Sequence, residues 1–338
     1  MPGFIGLASV LAAGLILAWA TLVWLTIQRL TRPPRRTVGY AVTRGLPESP
    51  DKIINAEHDA PLQYTSWTVR TADGLDLPVW EITGNNPDGP TVIFSHGWGE
   101  SRWMAWPRIL ALLGDSYRVI CYDLRGHGES PPHSRCGLGL PEVSDLLALI
   151  EIADGRSPTQ QPEPAAHTTH PRRPIVLYGF SLGAGVSIAA ASNPQLAGRI
   201  AMVIAEAPYR LPQTPAAAVL RSADTPFRLN TIPAINAASA LFSGGGLAPI
   251  TRPGGPFDRL KYAAKLTCPL TVIHGDADLT CPPHDGQQIA AAAPNGRFQP
   301  VPGAGHLDLW QPPFAITTAA LLTAAFQNLA QPIASKKP

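Results

Sequence analysis

Short apolar segments alternate with helix-length segments along most of the chain, and this alternation limits the possible folds more than any other feature. Several apolar segments have no polar face, as expected of strands buried on both sides in a parallel sheet. The candidate strands are Trp67–Arg70, Leu77–Ile82, Thr91–Ser95, Arg118–Asp123, Ile175–Phe180, Ile200–Ala205, Leu270–His274 and Arg297–Val301. The candidate helices are Trp103–Gly114, Leu140–Asp154, Leu182–Ser192, His284–Ala293 and Phe314–Leu329. This order predicts an α/β fold with a doubly wound, mostly parallel sheet.

Two short segments depart from the alternation. Ala72-Asp73-Gly74 lies between the first two candidate strands, a spacing typical of a β-hairpin at the N-terminal edge of the sheet. Gly155–Pro174 is rich in proline, threonine, glutamine and histidine, and this composition predicts a flexible excursion from the domain.

A longer interruption covers about residues 209–267. It contains helix-like pieces near Ala216–Arg221 and Ile235–Phe242, followed by the glycines Gly244–Gly246. A helical lid over the edge of the sheet is the first interpretation. An ordinary pair of crossover helices with long loops is the second, and the sequence leaves both open.

The N-terminal segment carries no charged side chain from Phe4 to Ile27. At ~1.5 Å per residue, a helix of that length measures roughly 36 Å, enough to cross a hydrocarbon core of about 30 Å. We therefore expect one transmembrane anchor over residues 4–27. A cleaved signal peptide, with Ala18-Trp19-Ala20 as an imperfect cleavage site, and a buried helix of a soluble protein are the alternatives.

Arginines follow the apolar segment directly, at positions 29, 32, 35 and 36. The positive-inside rule then predicts a single-pass protein whose C-terminal part lies in the cytoplasm. Simple solvation of a linker is the other explanation of these arginines. Residues 28–62 contain many proline, glycine and charged residues and are predicted to be that linker, leaving residues 63–330 as the folded domain.

Charge and cysteine usage exclude some classes of function. The formal net charge is +2, and the visible basic cluster lies beside the apolar segment, so we expect no nucleic-acid surface. The four cysteines are widely spaced, with no CxxC and no zinc-finger spacing, so we expect free thiols and no metal site. No cofactor is expected either.

Gly179-Phe180-Ser181-Leu182-Gly183 lies between an apolar strand and a helix of small residues. A serine at such a sharp turn has its hydroxyl exposed, and the flanking glycines let neighbouring backbone pass closely. The N-terminus of the following helix favours developing negative charge. Ser181 is therefore the predicted nucleophile of an acyl-transfer reaction.

A serine nucleophile needs a base and an orienting acid, and both are predicted downstream. Asp278 follows one strand in His274-Gly275-Asp276-Ala277-Asp278, and His306 follows the next in Gly303-Ala304-Gly305-His306. The order serine, aspartate, histidine at the ends of successive strands is the one this layout requires. Asp276 is the rival for the acid, and His274 is expected to hydrogen-bond locally.

The backbone N–H groups of Trp98 and Leu182 are the predicted oxyanion donors. Ser95-His96-Gly97-Trp98-Gly99 follows a strand where an enzyme of this layout places its second donor. The alternative is a glycine-rich turn with His96 packed beneath it. The polar side chains of Asp123–Ser130 are expected to tie their own loop together.

With these motifs, the chain resembles the α/β-hydrolase superfamily, in the set that includes monoglyceride lipase-like and carboxylesterase-like enzymes. HGWG, DLRGHGES, GFSLG, HGDAD and GAGH match its motifs in order between Trp67 and Leu329. The resemblance implies a cofactor-free serine hydrolase that cleaves carboxylic esters through an acyl-enzyme, with lipid-derived esters favoured by the anchor. A thioesterase or peptidase of the same fold, and a catalytically silent membrane-anchored binding module, are the alternatives.

Overall fold

The computed structural model describes residues 2–153, 173–222, 229–242 and 248–330. The predicted excursion Gly155–Pro174 lies almost entirely outside these ranges, so its flexibility stays a prediction. The glycines Gly244–Gly246 also lie outside them.

Strands β3 to β10 form one eight-stranded sheet in the order β10-β9-β8-β7-β5-β6-β4-β3. Within this sheet, β3 and β4 form an antiparallel hairpin, and β4 is also antiparallel to β6. All other neighbouring strands are parallel. A separate two-stranded sheet, β1 with β2, precedes it. The strands are β1 Ile54–Asn55, β2 Ala60–Pro61, β3 Tyr64–Arg70, β4 Asp76–Thr83, β5 Thr91–Ser95, β6 Arg118–Tyr122, β7 Ile175–Phe180, β8 Ile200–Glu206, β9 Leu270–Gly275 and β10 Gly296–Val301.

Ten α-helices occur in the described ranges. They are α1 Pro2–Thr31, α2 Val38–Thr43, α3 Trp106–Leu113, α4 Pro141–Ala153, α5 Leu182–Ala191, α6 Gln213–Ser222, α7 Thr231–Phe242, α8 Arg259–Ala263, α9 Pro283–Ala292 and α10 Ala315–Ala330. Three short 3₁₀ helices cover Pro50–Lys52, Arg102–Ala105 and Pro194–Leu196.

The predicted doubly wound, mostly parallel sheet with an N-terminal hairpin is confirmed. Every residue of β5, β6, β7 and β9 is buried, as the absence of a polar face in their sequences indicates. Two hydrophobic cores occupy the two sides of this sheet. Side chains of α4, α5 and α9 belong to one core, and side chains of α3 and α10 belong to the other.

The register of the parallel strands brings their carboxyl ends to one edge. Ser95 at the end of β5 lies beside Gly179 of β7, Phe180 lies beside Glu206 of β8, and Val301 of β10 lies beside Gly275 of β9. Loops that follow these strands therefore meet above the centre of the sheet, where ligands collect in open α/β folds.

The N-terminal helix has two different surroundings along its length. Residues 7–21 are exposed, whereas Thr26, Ile27, Leu30 and Thr31 are buried against the domain. Over Leu7–Thr31, α1 is long and apolar enough to cross a membrane. The buried turns belong to the folded domain.

Residues 28–62, the predicted linker, contact the domain at several points. Ala41 and Leu62 are core residues on the side of the sheet that carries α3 and α10. The indole N–H of Trp103 donates to the carbonyl of Glu48 at 3.0 Å. This segment crosses the domain surface and adds to its core; the predicted bounds at 27/28 and 62/63 stay predictions.

Candidate active site

Ser181 occupies the turn between β7 and α5, and its backbone has φ 50° and ψ −109°. A positive φ is rare for a residue with a Cβ and costs of order 1–3 kcal/mol. The hydrogen bond from the Ser181 N–H to the carbonyl of Glu206 at 2.8 Å holds the turn in place. The hydroxyl is thus presented from a strained turn, as the sequence motif predicts.

Both flanking glycines are required by close backbone approach. A Cβ on Gly179 would lie 2.2 Å from the carbonyl oxygen of Gly183, and a Cβ on Gly183 would lie 2.0 Å from that of Ser95. No side chain can be accommodated at either position without moving backbone. The motif therefore packs the loop after β5 directly against the first turn of α5.

Ser181, His306 and Asp278 form a continuous hydrogen-bonded chain. The Oγ of Ser181 lies 3.1 Å from Nε2 of His306, and Nδ1 of His306 lies 2.7 Å from Oδ2 of Asp278. The carboxylate must accept from Nδ1–H, which leaves Nε2 as the acceptor of the serine proton. This is the geometry that nucleophile, base and orienting acid require.

The other oxygen of Asp278 is fixed by its own loop. Oδ1 accepts from the backbone N–H groups of Thr280 and Cys281, each at 2.8 Å. Asp276, the alternative candidate for the orienting acid, accepts a hydrogen bond from the N–H of Gly303 at 2.6 Å and is exposed. Between the two aspartates, the structure places Asp278 against His306.

His274 contacts Asp278 and the loop that follows it. Its Nε2 lies 2.8 Å from the carbonyl of Cys281 and 3.3 Å from Oδ2 of Asp278, and the side chain is fully buried. This local role agrees with the expectation from sequence.

The electrostatics of Asp278 and His306 favour an ionised acid. Burial alone would raise the pKa of Asp278, but hydrogen bonds from His274 and His306 outweigh it and hold that pKa well below its ordinary value. Burial lowers the pKa of His306, and neighbouring Cys281 and Asp278 raise it by more, so it lies above its usual range. Burial raises the pKa of the Cys281 thiol, so that group is neutral near pH 7. At that pH, Asp278 is therefore the group that keeps the pKa of His306 raised.

Cys281 is a site residue that the sequence analysis missed. Its Sγ lies 4.0 Å from the Ser181 Oγ, and the side chain is fully buried. Asp278, Cys281 and His306 each offer one atom that could bind a metal ion, all within 4.8 Å of one another. The position of Cys281 three residues after Asp278 is the only sequence signal, and it is a weak one.

The loop Ser95–Gly99 lies against the start of α5, close to Ser181. A Cβ on Gly97 would lie 2.7 Å from the ring of Phe180, and Trp98 lines the same cavity as Ser181 and Leu182. Within the described ranges, the backbone N–H groups of Trp98 and Leu182 donate to no protein group. Both are therefore available to an oxygen bound next to Ser181.

His96 holds this loop in place. Its Nε2 accepts from the N–H of Leu124 at 3.0 Å, and its Nδ1 lies 2.8 Å from the carbonyl of Gly97. Burial lowers the pKa of His96 to about 4, so the ring is neutral near pH 7. His96 thus connects the loop after β5 to the loop after β6.

A buried ion pair beneath the turn of Ser181 was also missed from sequence. Arg108 of α3 donates to Glu206 at the end of β8, with Nε to Oε2 at 3.0 Å and Nη2 to Oε1 at 2.5 Å. Tyr178 and Trp310 donate to the same carboxylate at 2.5 and 3.0 Å. Burial opposes ionisation of Glu206, but Arg108 and these hydrogen bonds hold its pKa below the ordinary value. No local pattern pairs residues so far apart in the chain.

An apolar cavity begins at Ser181 and runs under α6 and α7, which we call the cap. One wall comes from the domain and the last turn of α1, and the other comes from the cap and the segment leading into it. The lining residues are Leu30, Trp98, Leu138, Ser181, Leu182, Tyr209, Pro212, Pro215, Ala216, Val219 and Ile235.

Comparison with known proteins places these features in a family. An uncharacterized Mycobacterium tuberculosis protein, MT2364, is 27% identical over 315 residues, which cover 90% of this chain and 87% of that protein. BpoC of Mycobacterium tuberculosis, named as a non-heme bromoperoxidase, is 39% identical over 64 residues, 19% of this chain and 24% of that protein. The chain thus matches only about a quarter of BpoC.

Solved structures support the fold. The esterase Pf2001 of Pyrococcus furiosus superimposes with a TM-score of 0.61 at 24% identity, over 89% of this chain and 98% of that one. The profile of the alpha/beta hydrolase family matches residues 92–318, which is more than half of the chain and includes Ser181, Asp278 and His306. The chain therefore belongs to the alpha/beta hydrolase family.

Proposed function

We propose that this protein is a serine esterase that hydrolyses carboxylic esters through an acyl-enzyme. The observation that carries the proposal is the hydrogen-bonded chain from the Ser181 Oγ through His306 to Asp278, at 3.1 and 2.7 Å. The strained turn of Ser181 and the esterase activity named for the structural relative Pf2001 add support.

In this proposal, Ser181 attacks the ester carbonyl while Nε2 of His306 takes the hydroxyl proton. Asp278 stabilises the resulting imidazolium and keeps the ring oriented. The N–H groups of Trp98 and Leu182 bind the oxyanion of the tetrahedral intermediate, at a typical contribution of roughly 3–4 kcal/mol per donor.

His306 then gives its proton to the leaving alcohol, and the acyl group stays on Ser181. A water molecule, deprotonated by His306, releases the carboxylic acid and restores the serine. Each step uses only groups of this chain and water.

The test is rapid-mixing kinetics with p-nitrophenyl acetate. We expect a burst of p-nitrophenol equal to the enzyme concentration, because acylation releases the phenol and the slower deacylation then limits turnover. Ser181→Ala should abolish the burst. A linear time course with no burst, at a rate unaffected by Ser181→Ala, would refute the proposal.

We propose further that α1 anchors the protein as a single membrane span, with the catalytic domain in the cytoplasm. The length and apolar character of α1 and the arginines after it support this arrangement. In intact cells, an externally added protease should leave the domain uncut, and digestion under those conditions would reverse the orientation.

A further inference from the structure

The end of the proposed anchor is part of the wall of the proposed active-site cavity. Leu30 is only 2% exposed and lines the cavity together with Ser181 and Leu182. Leu25, less than two turns earlier on the same helix, is 58% exposed. The helix therefore changes from an outer surface to a wall of the site within a few residues.

Hydrogen bonds fix this helix end against the site. The last carbonyl groups of a helix lack partners within the helix. Here the indole N–H of Trp98 donates to the carbonyl of Leu30 at 2.9 Å, and the N–H of Cys136 donates to that of Thr31 at 2.9 Å. Since Trp98 also supplies a proposed oxyanion N–H, the anchor and the catalytic loop hold each other in place.

The cap lies along the anchor as well as over the cavity. The indole N–H of Trp19 lies 3.4 Å from the carbonyl of Leu229, and Asn230 bonds to the hydroxyl of Thr26. Trp19 precedes Thr26 by about 10 Å along a helix axis. The residues that lead into α7 therefore lie along the part of α1 that would lie in the membrane.

Exposed apolar side chains occur at this end of α7. Leu229 and Ile232 are 78% and 52% exposed. Leu229 lies beside Trp19 and so adjoins the apolar surface of α1, which is the surface expected to face hydrocarbon. A bilayer that surrounds α1 would cover this end of α7 too, as exposed apolar patches at membrane contacts require.

The cavity is small in this conformation, with a free volume of about 50 Å³. Pockets that hold small ligands typically measure about 300–1,000 Å³. A long acyl chain can therefore enter only if the cap moves relative to α1. Movement of the cap relative to α1 would open the cavity between these two elements.

We propose that the cavity between α1 and the cap receives the acyl chain of a long-chain lipid ester directly from the surrounding bilayer. Leu30 is then a residue that determines chain-length specificity. This inference rests on the proposed esterase function and names its substrate class.

The first test measures kcat/KM of full-length variants in detergent for two substrates, p-nitrophenyl palmitate and p-nitrophenyl acetate. Leu30→Trp narrows the cavity, so kcat/KM for palmitate should fall about 10-fold or more relative to acetate. Leu25→Trp makes the same change on the exposed face of α1 and should leave this ratio as in the wild type. An unchanged ratio in a folded Leu30→Trp would overturn the inference.

A second wall residue covers the case in which Leu30→Trp does not fold. Val219→Phe, on α6 across the same cavity, should shift the ratio in the same direction. Fluorophosphonate labelling separates the two levels of the proposal. A labelled enzyme whose ratio is unchanged in both variants refutes the bilayer-fed cavity alone, whereas a folded wild type without label refutes the esterase and this inference with it.

The second test asks where the ester comes from. The full chain is reconstituted in phosphatidylcholine vesicles, with the palmitate ester either in the same vesicles or in separate ones. Because a long chain leaves hydrocarbon slowly, the initial rate should be about 10-fold or more higher in the first arrangement. Equal rates in the two arrangements would show uptake from water and contradict entry from the bilayer.

Discussion

Ser181 shows how single residues set the reactivity of the site. Its φ of 50° is possible because Gly179 and Gly183 leave room for the backbone on both sides. The sharp turn then points the hydroxyl at His306, and Leu182, the first residue of α5, lines the same cavity as Ser181. Strain at one residue is thus compensated by the packing of two loops.

The close approach at Gly183 predicts a large effect of one methyl group. Gly183→Ala places a Cβ 2.0 Å from the Ser95 carbonyl oxygen, and overpacking of this kind costs about 1–3 kcal/mol or more. Urea denaturation should show the loss. Gly114→Ala is the control, because nothing lies within 4 Å of its Cβ position and its φ is −64°; equal midpoints for the two variants would contradict the close approach.

The raised pKa of His306 predicts the pH dependence of the reaction. The base must be neutral, so kcat/KM is low below this pKa and increases as the pH rises through it. The midpoint should lie above the ordinary histidine value of about 6.5. Asp278→Asn removes the charge that stabilises the imidazolium, so the midpoint should move down while kcat falls about 10⁴-fold. A profile with the same midpoint in both enzymes would exclude Asp278 as the partner of His306.

At the scale of elements, α3 and β8 are joined beneath the Ser181 turn by Arg108 and Glu206. Both side chains are buried, and the Ser181 N–H bonds to the backbone of the same glutamate. Because α3 is a helix outside the sheet and β8 is a strand within it, this ion pair positions the Ser181 turn relative to α3.

Removing one partner of this pair should be costly. Arg108→Met leaves Glu206 buried without a counter-charge, and we expect a loss of about 3–5 kcal/mol in the free energy of unfolding. Adding Glu206→Gln should recover part of it. The exposed pair Arg70 and Asp76 is the control, where Arg70→Met should change stability by roughly 0–1 kcal/mol. Similar losses at the two arginines in denaturant titrations would count against the buried pair.

The sequence predicts some elements well for a physical reason. The sequence segments that form β5, β7 and β9 are apolar on both faces. A glycine-containing turn follows each segment and indicates where the strand ends. Ser181 follows β7, Asp278 follows β9 and His306 follows the partly exposed edge strand β10. The parallel order alone brings these strand ends to one edge. Cys281, Arg108 and Leu30 could not be found this way, because their contacts join segments that only the tertiary fold brings together.

At the scale of the whole molecule, α1 and the folded domain are not separate parts. Ile27 and Leu30 belong to the main hydrophobic core, and residues 28–62 continue across the domain surface. A helix that only tethered the domain would have no buried turns. The C-terminal turns of α1 therefore have a structural role in the folded domain.

Two truncations separate tethering from folding. Deleting residues 2–21 keeps the buried turns and should leave the denaturation midpoint near that of the full chain in detergent. Deleting residues 2–31 removes Ile27 and Leu30, and at about 1.5–3 kcal/mol for each buried side chain it should cost roughly 3–6 kcal/mol. If the longer deletion were as stable as the shorter one, the buried turns would contribute nothing to the fold.

The most direct test of the central claim is covalent labelling of the full chain in detergent with a fluorophosphonate, followed by peptide mass spectrometry. We predict a single adduct on Ser181 that is absent from Ser181→Ala. The control is Ser187→Ala, a buried serine on the same helix whose hydroxyl has no partner among the described residues, and it should label as the wild type does. A folded wild type that takes no label, or an adduct on another residue, would contradict the assignment of Ser181 as the nucleophile.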